Sequence, residues 1–339
     1  MFVMKYLKFF IVSVIISSLF LLVSIFILLW KFSPQLPSYE KIVNYKPNLS
    51  SRVYSSDGML LKSFYLEERI FIPIDRIPEK IINAFISAED KNFFNHIGID
   101  LFAISRAFFT NLLNYSTNKR VVGASTITQQ VVKNLLLSNE VSYERKIKEI
   151  LLAIRIENIL SKNEILELYL NDIYLGFGSY GIGSASLNYF NKSVNELELH
   201  EIAYLASLPK APNNYHPIKY YNNAIDRRNW VLDRMFKNGL ISKKYLKFKN
   251  LPLKIYKRED SFFTKADYYY EEIRKNLYNK FGKNKLYSKG LIIKTSIDSR
   301  IQDYADKSLR QGLINFDKRL GWKGVIDNTT FQNFKKNTD

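Results

Sequence analysis

Two adjacent carboxylates, Glu89 and Asp90, follow an apolar helical pattern in the stretch ISAEDKNFFNHIGID. The apolar residues Ile82, Phe85 and Ile86 define one helix face, and Glu89 continues that face at the i+3 and i+4 spacing. A carboxylate there loses part of its hydration, which raises its pKa toward the range that a general base or acid needs. The alternative is that the helix ends near this point and Glu89 is simply exposed. Asp90 points elsewhere, so we expect a structural or capping role for it.

A second group of polar residues lies in GASTITQQVVKN at 123–134. Ser125 is the predicted helix cap. Thr126, Gln129, Gln130 and Lys133 then fall at i, i+3, i+4 and i+7, which places them on one stripe of the helix. Uncharged amides beside a single lysine suit sugar hydroxyls and a phosphate. The alternative is an ordinary solvated face.

A third group combines two cations and an acid. Arg145 and Lys146 precede Glu149 by four and three residues, so all three can meet on one side of a helix. As a surface ion pair they would contribute a few tenths of a kcal/mol. As a site they offer two cations for a pyrophosphate and a carboxylate that the cations keep ionised. The helix, predicted over 142–160, has an apolar face built on Ile147, Ile150, Leu151 and Ile154.

Residues 161–186 begin with a Ser-x-x-Glu capping box, and Glu167 and Asn171 lie one turn apart on the helix that follows. The glycines after this helix do not form a nucleotide-binding fingerprint, because no strand precedes them. His96 has no second metal-type ligand at a useful spacing, which favours a hydrogen-bonded structural role.

The elements that must position these residues are mainly helical. The periodicity is helical from Pro78 to about residue 240. Before it, Ser-Asp-Gly between two apolar runs in RVYSSDGMLLKSFY predicts a β-hairpin. Residues 243–290 have a weaker pattern. A strand is predicted over 290–298, in GLIIKTSID, and a helix after it in SRIQDYADKSLRQGLINF.

The N-terminus predicts a membrane anchor. Residues 9–30 form 22 uncharged, mostly apolar positions, and about 20 are needed to span the hydrocarbon core of a bilayer. No small-residue cleavage site follows, so we expect a retained signal anchor. Lys5 and Lys8 precede the run, which favours a cytoplasmic N-terminus and a body on the outer face. The predicted domains are the cytoplasmic tip and anchor at 1–32, a stalk at 33–50, a main domain at 51–240, and a linker with an incomplete C-terminal region at 241–339.

The charge and the absence of cysteine narrow the classes of partner. A formal net charge of +18 indicates an acidic counterpart, such as nucleic acid, anionic lipid or a phosphorylated substrate. An outer-face location favours lipid phosphate and argues against nucleic acid. The chain has no cysteine, which excludes disulfides and thiolate metal sites.

Five motifs in order resemble a known family. They are Glu-Asp-x-x-Phe-x-x-His-x-Gly at 89–98, Gly-Ala-Ser-Thr-Ile-Thr-Gln-Gln at 123–130, Arg-Lys-x-x-Glu at 145–149, Ile-Leu-Glu-x-Tyr-Leu-Asn at 165–171 and EIAYLASLPKAPNNYHP at 201–217. The set is similar to the peptidoglycan glycosyltransferase domain of family 51, found in class A penicillin-binding proteins and monofunctional transglycosylases. Residues 265–324 resemble the segment that follows this domain in the class A proteins. The resemblance implies a lysozyme-like, two-lobed domain with a head and a membrane-facing jaw, a small β-hairpin and a short α/β C-terminal segment.

The resemblance also implies a reaction and roles for residues. The family polymerises lipid II into glycan strands by inverting β-1,4 transfer from an undecaprenyl-pyrophosphate-linked donor at the inner membrane. Glu89 fits the catalytic base, and Glu149 the leaving-group end, directly or through a divalent cation such as Mg²⁺ or Mn²⁺; no organic cofactor is expected. The substrate contacts implied are Lys133, Arg145, Lys146, Lys162, Ser125, Thr126, Gln129, Gln130 and Asn171. The supporting residues are Asp90, Phe93, His96 and Gly98.

The second activity of class A proteins is not expected here. A transpeptidase needs Ser-x-x-Lys, Ser-x-Asn and Lys-Thr-Gly motifs on a further domain. A Ser-x-x-Lys runs from Ser116 to Lys119 between two transferase motifs, and no Lys-Thr-Gly occurs. We therefore expect no transpeptidation from this chain, and a separate transpeptidase and other cell-wall synthesis proteins as partners.

Other functions stay open at this stage. A lytic transglycosylase or lysozyme-like hydrolase would share the fold and a catalytic glutamate, but would not need the cations at 145–146. A non-catalytic membrane scaffold left from a split bifunctional protein is the other alternative. The helix LFAISRAFFTNLLNY at 101–115 exposes more apolar residues than one core-facing stripe needs, so we expect it at the bilayer interface with Arg106 and Arg120 as basic neighbours. The alternative is a fully buried helix.

Overall fold

A computed structural model describes residues 2–38, 40–43, 50–65, 68–115, 122–138, 140, 142–256 and 266–321. The predicted mainly helical class is confirmed. The α-helices are α1 (Phe2–Phe32), α2 (Glu40–Val43), α3 (Glu79–Glu89), α4 (Leu101–Leu113), α5 (Ile127–Leu136), α6 (Tyr143–Glu157), α7 (Lys162–Asp172), α8 (Gly181–Phe190), α9 (Leu199–Leu205), α10 (Tyr221–Lys237), α11 (Asp267–Ser288) and α12 (Ser299–Arg319). The strands are β1 (Ser51–Tyr54), β2 (Leu60–Phe64), β3 (Glu68–Arg69), β4 (Ser179–Tyr180) and β5 (Ile292–Lys294).

The chain divides into two compact units that do not follow the predicted domain bounds. The first unit comprises Met1–Leu49 and Leu66–Glu259, and the second comprises Ser50–Tyr65 and Asp260–Asp339. The hairpin strands β1 and β2 therefore belong with the C-terminal segment, because β1 pairs with β5. A sequence pattern cannot reveal this pairing across some 240 residues.

The first unit is built on one apolar core shared by its helices. Helix α3 buries Ala84, Phe85 and Ile86, and α5 buries Ile127, Val131 and Val132; α6 and α7 close the same core with Leu152, Ala153, Ile156, Ile165, Leu166 and Leu170. The i, i+3, i+4 spacing of these residues is what directs one face of each helix inward. Removal of this apolar surface from water is the main stabilising contribution to the unit.

Helix α1 contains the uncharged run that predicts an anchor, but its side chains are described only in part. Among the described residues, no helix is long and apolar enough to cross a membrane. The single-pass anchor is therefore not confirmed.

The second unit holds a three-stranded sheet in the order β2-β1-β5. The predicted hairpin is confirmed: β1 and β2 are antiparallel, with Ser51 opposite Phe64. The predicted strand is β5, which runs parallel to β1, and the predicted helix is α12. The turn of the hairpin is tied to α12 by Asp57, whose carboxylate accepts hydrogen bonds from the amide (3.1 Å) and hydroxyl (2.6 Å) of Ser299. Helix α11 lies in the segment 243–290, whose weak pattern did not predict it, and it is interrupted at Gly282 (φ 76°).

Candidate active site

Glu89 is the last residue of α3, and its side chain is partly buried. Three preceding residues of the helix, Ala84, Phe85 and Ile86, lie in the core, which directs this end of α3 into the interior. The Nε2 amide of Gln130, on α5, donates a hydrogen bond of 2.9 Å to the Glu89 carboxylate. Of the two readings of the sequence, the structure favours the one in which Glu89 continues the inward face.

Burial raises the pKa of Glu89 above its ordinary value of 4.5. The hydrogen bond from Gln130 and the positive charges of Arg227 and Lys210 act in the opposite direction, because they stabilise the ionised form. A raised pKa makes the Glu89 carboxylate a stronger proton acceptor, which suits general-base catalysis.

The carboxylate lines a cavity of about 320 Å³. Its walls come from the end of α3, from α4 and from α10, and they combine acids with cations and one indole. The lining residues include Glu89, Asp90, Lys91, Arg106, Trp230, Arg234 and Asn238. The cavity can therefore hold a polar, anionic ligand next to the candidate base.

Asp90 connects three segments behind Glu89. Its buried carboxylate accepts hydrogen bonds from the Ile127 amide at the start of α5 (3.0 Å) and from Nε2 of His96 (2.9 Å). The Nδ1 atom of His96 accepts from the Gly98 amide at 3.1 Å, which assigns the ring proton to Nε2 in the neutral tautomer. Asp90 and His96 thus have the structural contacts that the sequence favours for them.

Gly98 is a position where only glycine fits. Its φ is 93°, and a Cβ atom there would lie 2.7 Å from the carbonyl oxygen of Ala153 on α6. The absence of a side chain lets the turn after His96 pack directly against α6. Phe93, fully buried, supports the same turn through an edge contact with the His96 ring, 6.1 Å between centroids.

The start of α5 differs from the prediction at one residue. The N-cap is Thr126 and not Ser125, because the Thr126 hydroxyl accepts from the Gln129 amide and donates to the Gly98 carbonyl at 2.6 Å. The backbone amide of Thr126 donates in turn to the side-chain Oε1 of Gln129 at 3.0 Å, which completes a capping box. Thr126 and Gln129 are buried, so their polar atoms hold the helix start, whereas Gln130 reaches Glu89.

Glu149 is buried on α6 and contacts the Lys146 ammonium. The same ammonium donates to the Ser125 hydroxyl at 2.9 Å. The predicted apolar face of α6 is wrong: the buried residues are Leu152, Ala153 and Ile156, and Glu149 shares their side. Arg145 does not join this pair, since in the described part of the chain its buried Nε has no hydrogen-bond partner.

The two lysines predicted as phosphate contacts differ in their surroundings. Lys162 is already engaged: its ammonium donates to the His96 carbonyl and to Glu157, both at 2.7 Å, and lies 4.5 Å from the centre of the Phe93 ring. Lys133 is partly exposed on α5, and within the described residues it makes no ion pair. Lys133 is therefore the better candidate for binding an anion.

Asn171 and Glu167, on α7, hold the segment that leads into α3. The Asn171 side chain accepts from the Ile72 amide (2.8 Å) and donates to the Ile72 carbonyl (2.9 Å). Glu167 accepts from the Ile74 amide at 2.8 Å. Asn171 is buried, so in this structure its amide is used to position the chain before α3.

The contribution of α10 to the cavity was not predicted from the sequence. Arg227 and Arg234 lie on either side of Trp230, with guanidinium carbons 3.7 and 4.8 Å from the centre of its ring, and Trp230 and Arg234 line the cavity. The spacing i, i+3, i+7 of these three residues was the available signal, since it places them on one helix face.

Residues at the start of α5 make hydrogen bonds to the surroundings of both Glu89 and Glu149. Gln130 contacts Glu89, the Ile127 amide contacts Asp90, and Ser125 contacts the Lys146 that pairs with Glu149. Lys133 and Asn171 lie outside this set of contacts. Arg120 and the Ser116–Lys119 motif fall outside the described residues.

The residues around Glu149 do not fit a metal site. No group of three or more acidic or histidine side chains that could hold an ion occurs in the described ranges. Glu149 is a single carboxylate paired with an ammonium, and divalent cations of the Mg²⁺ type need several oxygen ligands. The divalent cation stays a prediction.

The chain is similar in sequence to known proteins. The family model described as transglycosylase matches residues 57–236. The chain is 45% identical over 311 residues to penicillin-binding protein 1A of Rickettsia prowazekii (strain Madrid E), with 91% of this chain and 40% of that protein covered. It is 38% identical over 324 residues to penicillin-binding protein 1A of Escherichia coli (strain K12), with 95% and 37% covered.

Among solved structures, the crystal structure of penicillin-binding protein 1A from Haemophilus influenzae matches with a TM-score of 0.47 and 27% identity, over 85% of this chain and 32% of that one. The chain spans about two fifths of the length of the curated relatives that it matches.

Proposed function

The chain belongs to the transglycosylase family, and we propose that it polymerises lipid II into the glycan strands of peptidoglycan. The names of its relatives support glycosyl transfer in cell-wall synthesis. Lipid II and the nascent strand are the proposed substrates, and a separate transpeptidase and other cell-wall synthesis proteins are proposed partners. We also propose the two-lobed, lysozyme-like arrangement of head and jaw for the first unit.

The proposed reaction joins two lipid-linked sugars. The 4-hydroxyl of the N-acetylglucosamine of lipid II attacks C1 of the sugar at the reducing end of the growing strand. The hydroxyl proton passes to the Glu89 carboxylate, and the bond from C1 to the pyrophosphate oxygen breaks. The undecaprenyl pyrophosphate leaves with the electron pair, and the α linkage is replaced by a β-1,4 linkage.

The observation that carries this proposal is the environment of Glu89. Its carboxylate lines a cavity, is desolvated enough to raise its pKa, and is held in place by Gln130. Arg106 and Arg234, on the same cavity, offer charge complementarity to a pyrophosphate. Apolar surroundings, a nearby amide and cations are the conditions under which a glutamate serves as a base at neutral pH.

We assign Glu149 and its neighbours to the departing pyrophosphate. Lys146 keeps 41% of its side chain exposed although Glu149 and Ser125 hold its ammonium. A positioned ammonium can stabilise the negative charge that develops on the leaving oxygen. Lys133 and Arg145 are the further proposed phosphate contacts. Gln130 is the proposed sugar contact, and Thr126, Gln129, Asn171 and Lys162 position the chain around the site.

The experiment that tests this function follows the growth of labelled lipid II into polymer in detergent. Glu89→Gln should lower the rate by about 10²- to 10⁴-fold, which is the usual contribution of a general base. Glu79→Gln is the matched control, since it makes the same change on the exposed first turn of α3 and should leave the rate unchanged. Equal rates for wild type and Glu89→Gln would show that the assignment of the base is wrong.

The same assay separates synthesis from its hydrolytic rival. Strand growth from lipid II that a moenomycin-type inhibitor blocks supports the proposal. Shortening of mature glycan without strand growth would contradict it and favour a lytic enzyme.

We further propose attachment to the bacterial inner membrane, through a single-pass anchor with a cytoplasmic N-terminus and through α4. Helix α4 buries only Ala107, and Phe102, Phe108 and Leu113 are 85%, 63% and 80% exposed. An apolar face beside Arg106 suits the interface of an anionic bilayer. Flotation with anionic vesicles tests this, and a chain without residues 1–32 should still float unless Phe102 and Phe108 are replaced by serine.

A further inference from the structure

A strained turn presents an aromatic ring on the surface of the first unit. Three consecutive residues, Gly176, Phe177 and Gly178, have φ angles of 84°, 50° and 66°. A bulky residue rarely adopts positive φ, and such outliers cluster at functional sites. The turn is fixed by a bond from the Ser179 amide to the Gly176 carbonyl (2.8 Å) and from the Tyr189 hydroxyl to the Leu175 carbonyl (2.7 Å).

Burial does not explain the phenylalanine at this position. Its ring remains 44% exposed, and it rests against the buried Tyr189 ring at 5.0 Å and the His216 ring at 4.7 Å between centroids. The planes of the Phe177 and His216 rings are tilted by 38°, so the two rings are in direct contact with one another. Glycine or asparagine would make the same turn with less strain.

His216 adds an oriented hydrogen-bond donor to this surface. Its Nδ1 accepts from the amides of Ile218 and Lys219, both at 3.2 Å, so the neutral ring carries its proton on Nε2. In the part of the chain that the structure describes, Nε2 has no hydrogen-bond partner. The exposed amides of Asn213 and Asn214 lie just before it in the chain.

We propose that Phe177 and His216 form a sugar-binding platform that holds the polysaccharide strand away from the reacting bond. The axial C–H groups of a pyranose ring fit the negative face of an aromatic ring. The Nε2–H of His216 can donate to the carbonyl of an N-acetyl group, and the asparagine amides can bind hydroxyls. A ring with a few oriented polar groups matches a sugar face more closely than it matches a purely apolar partner.

This platform rests on the proposed function for the identity of its ligand, because glycan is the proposed product. It adds a binding site that the base and the cations do not require. Remote contacts of this kind retain a growing polymer between rounds of transfer, since their binding energy does not depend on the reacting bond. The platform therefore predicts both glycan affinity and an effect on strand length.

The test measures binding of a soluble tetrasaccharide of alternating N-acetylglucosamine and N-acetylmuramic acid by calorimetry. The full chain carries Glu89→Gln as background, so that no turnover interferes. Phe177→Asn removes the ring, and asparagine tolerates the left-handed backbone. His216→Asn removes the second ring and keeps a side-chain oxygen that can accept from the Ile218 and Lys219 amides.

We expect Phe177→Asn to weaken binding roughly tenfold and His216→Asn several-fold, with cooperative thermal unfolding retained in both variants. Tyr268→Asn, at a 96% exposed tyrosine of the second unit, is the control and should bind like the background protein. Equal affinity in all four proteins, or no binding by the background protein, overturns the platform. Failure of the proposed function would look different, since it would leave tetrasaccharide affinity intact while lipid II polymerisation is absent.

A second readout follows polymer length in chains with an intact Glu89. Phe177→Asn should shorten the strands made from lipid II, because the product dissociates sooner. Strands of wild-type length from both Phe177→Asn and His216→Asn would contradict the proposed role.

Discussion

Glu89 and Glu149 are the same side chain in two different environments. Glu89 ends a helix at a cavity, where burial raises its pKa and one amide and more distant cations oppose that effect. Glu149 lies mid-helix, 3% exposed, against the ammonium of Lys146. Desolvation with incomplete compensation favours proton uptake by Glu89, whereas Glu149 faces a direct cationic partner. The surroundings, and not the residue type, therefore distinguish the two roles that we propose for these carboxylates.

After Glu89→Gln, the largest expected effect comes from removal of the cation beside Glu149. Lys146→Met should lower the free energy of unfolding by about 2 kcal/mol, because a buried carboxylate loses its partner. Denaturant unfolding measures this loss. The matched control is Lys148→Met on the same helix, whose partner Glu144 is 55% exposed and whose loss should cost a few tenths of a kcal/mol. If the two variants were equally stable, Glu149 would not depend on its ion pair.

Removal of the amide beside Glu89 should have the next largest effect, on activity. Gln130→Met deletes a bond that stabilises the ionised carboxylate, so the pKa of Glu89 rises further. The acid limb of the pH–rate profile should move to higher pH, and at a fixed pH on that limb the rate should fall about tenfold if the limb moves by about one pH unit. Asn134→Leu, at an exposed amide on the same helix, is the control. An acid limb at the wild-type position would show that Gln130 does not affect the ionisation of Glu89.

The smallest expected effect is the pH dependence of the contribution that Glu89 makes to stability. Because the folded-state pKa of Glu89 is raised above 4.5, the wild type loses stability as pH rises from 4.5 through that folded value. Glu89→Gln lacks this loss, so its melting temperature should exceed that of the wild type by a margin that grows with pH. Scanning calorimetry from pH 4 to 8 measures the difference. A difference that does not grow with pH would mean that Glu89 is not desolvated.

Local rules predicted much of the fold from the sequence. The hairpin, the strand at 292–294 and the capping box at Ser161 depend on neighbouring residues alone, and the structure confirms them. The predicted N-cap of α5 was wrong by one residue, because Ser125 and Thr126 both carry a hydroxyl that can cap a helix. The distant carbonyl of Gly98 decides between them.

Long-range contacts account for the other errors. The apolar face of α6 was misplaced because a pattern of hydrophobic residues cannot anticipate a carboxylate on the buried side. Lys162 contacts the His96 carbonyl and Glu157, and Asn171 contacts the main chain of Ile72, none of which the sequence indicates; their contact with substrate stays a prediction. The place of Arg227 and Trp230 near the candidate site was not predicted, because it depends on the fold that positions α10 at the cavity.

The pairing of β1 with β5 also affects how the protein is made. The hairpin of β1 and β2 emerges from the ribosome long before β5 exists, and most of the first unit is synthesised in between. At a synthesis rate of about 10 residues per second, β1 remains without its partner strand β5 for some 20 seconds. An unpaired strand edge is a template for wrong association during that time. The chain therefore depends on early folding of its inserted unit to shorten the effective distance between the two strands, and its slowest folding step should be the closure of this sheet.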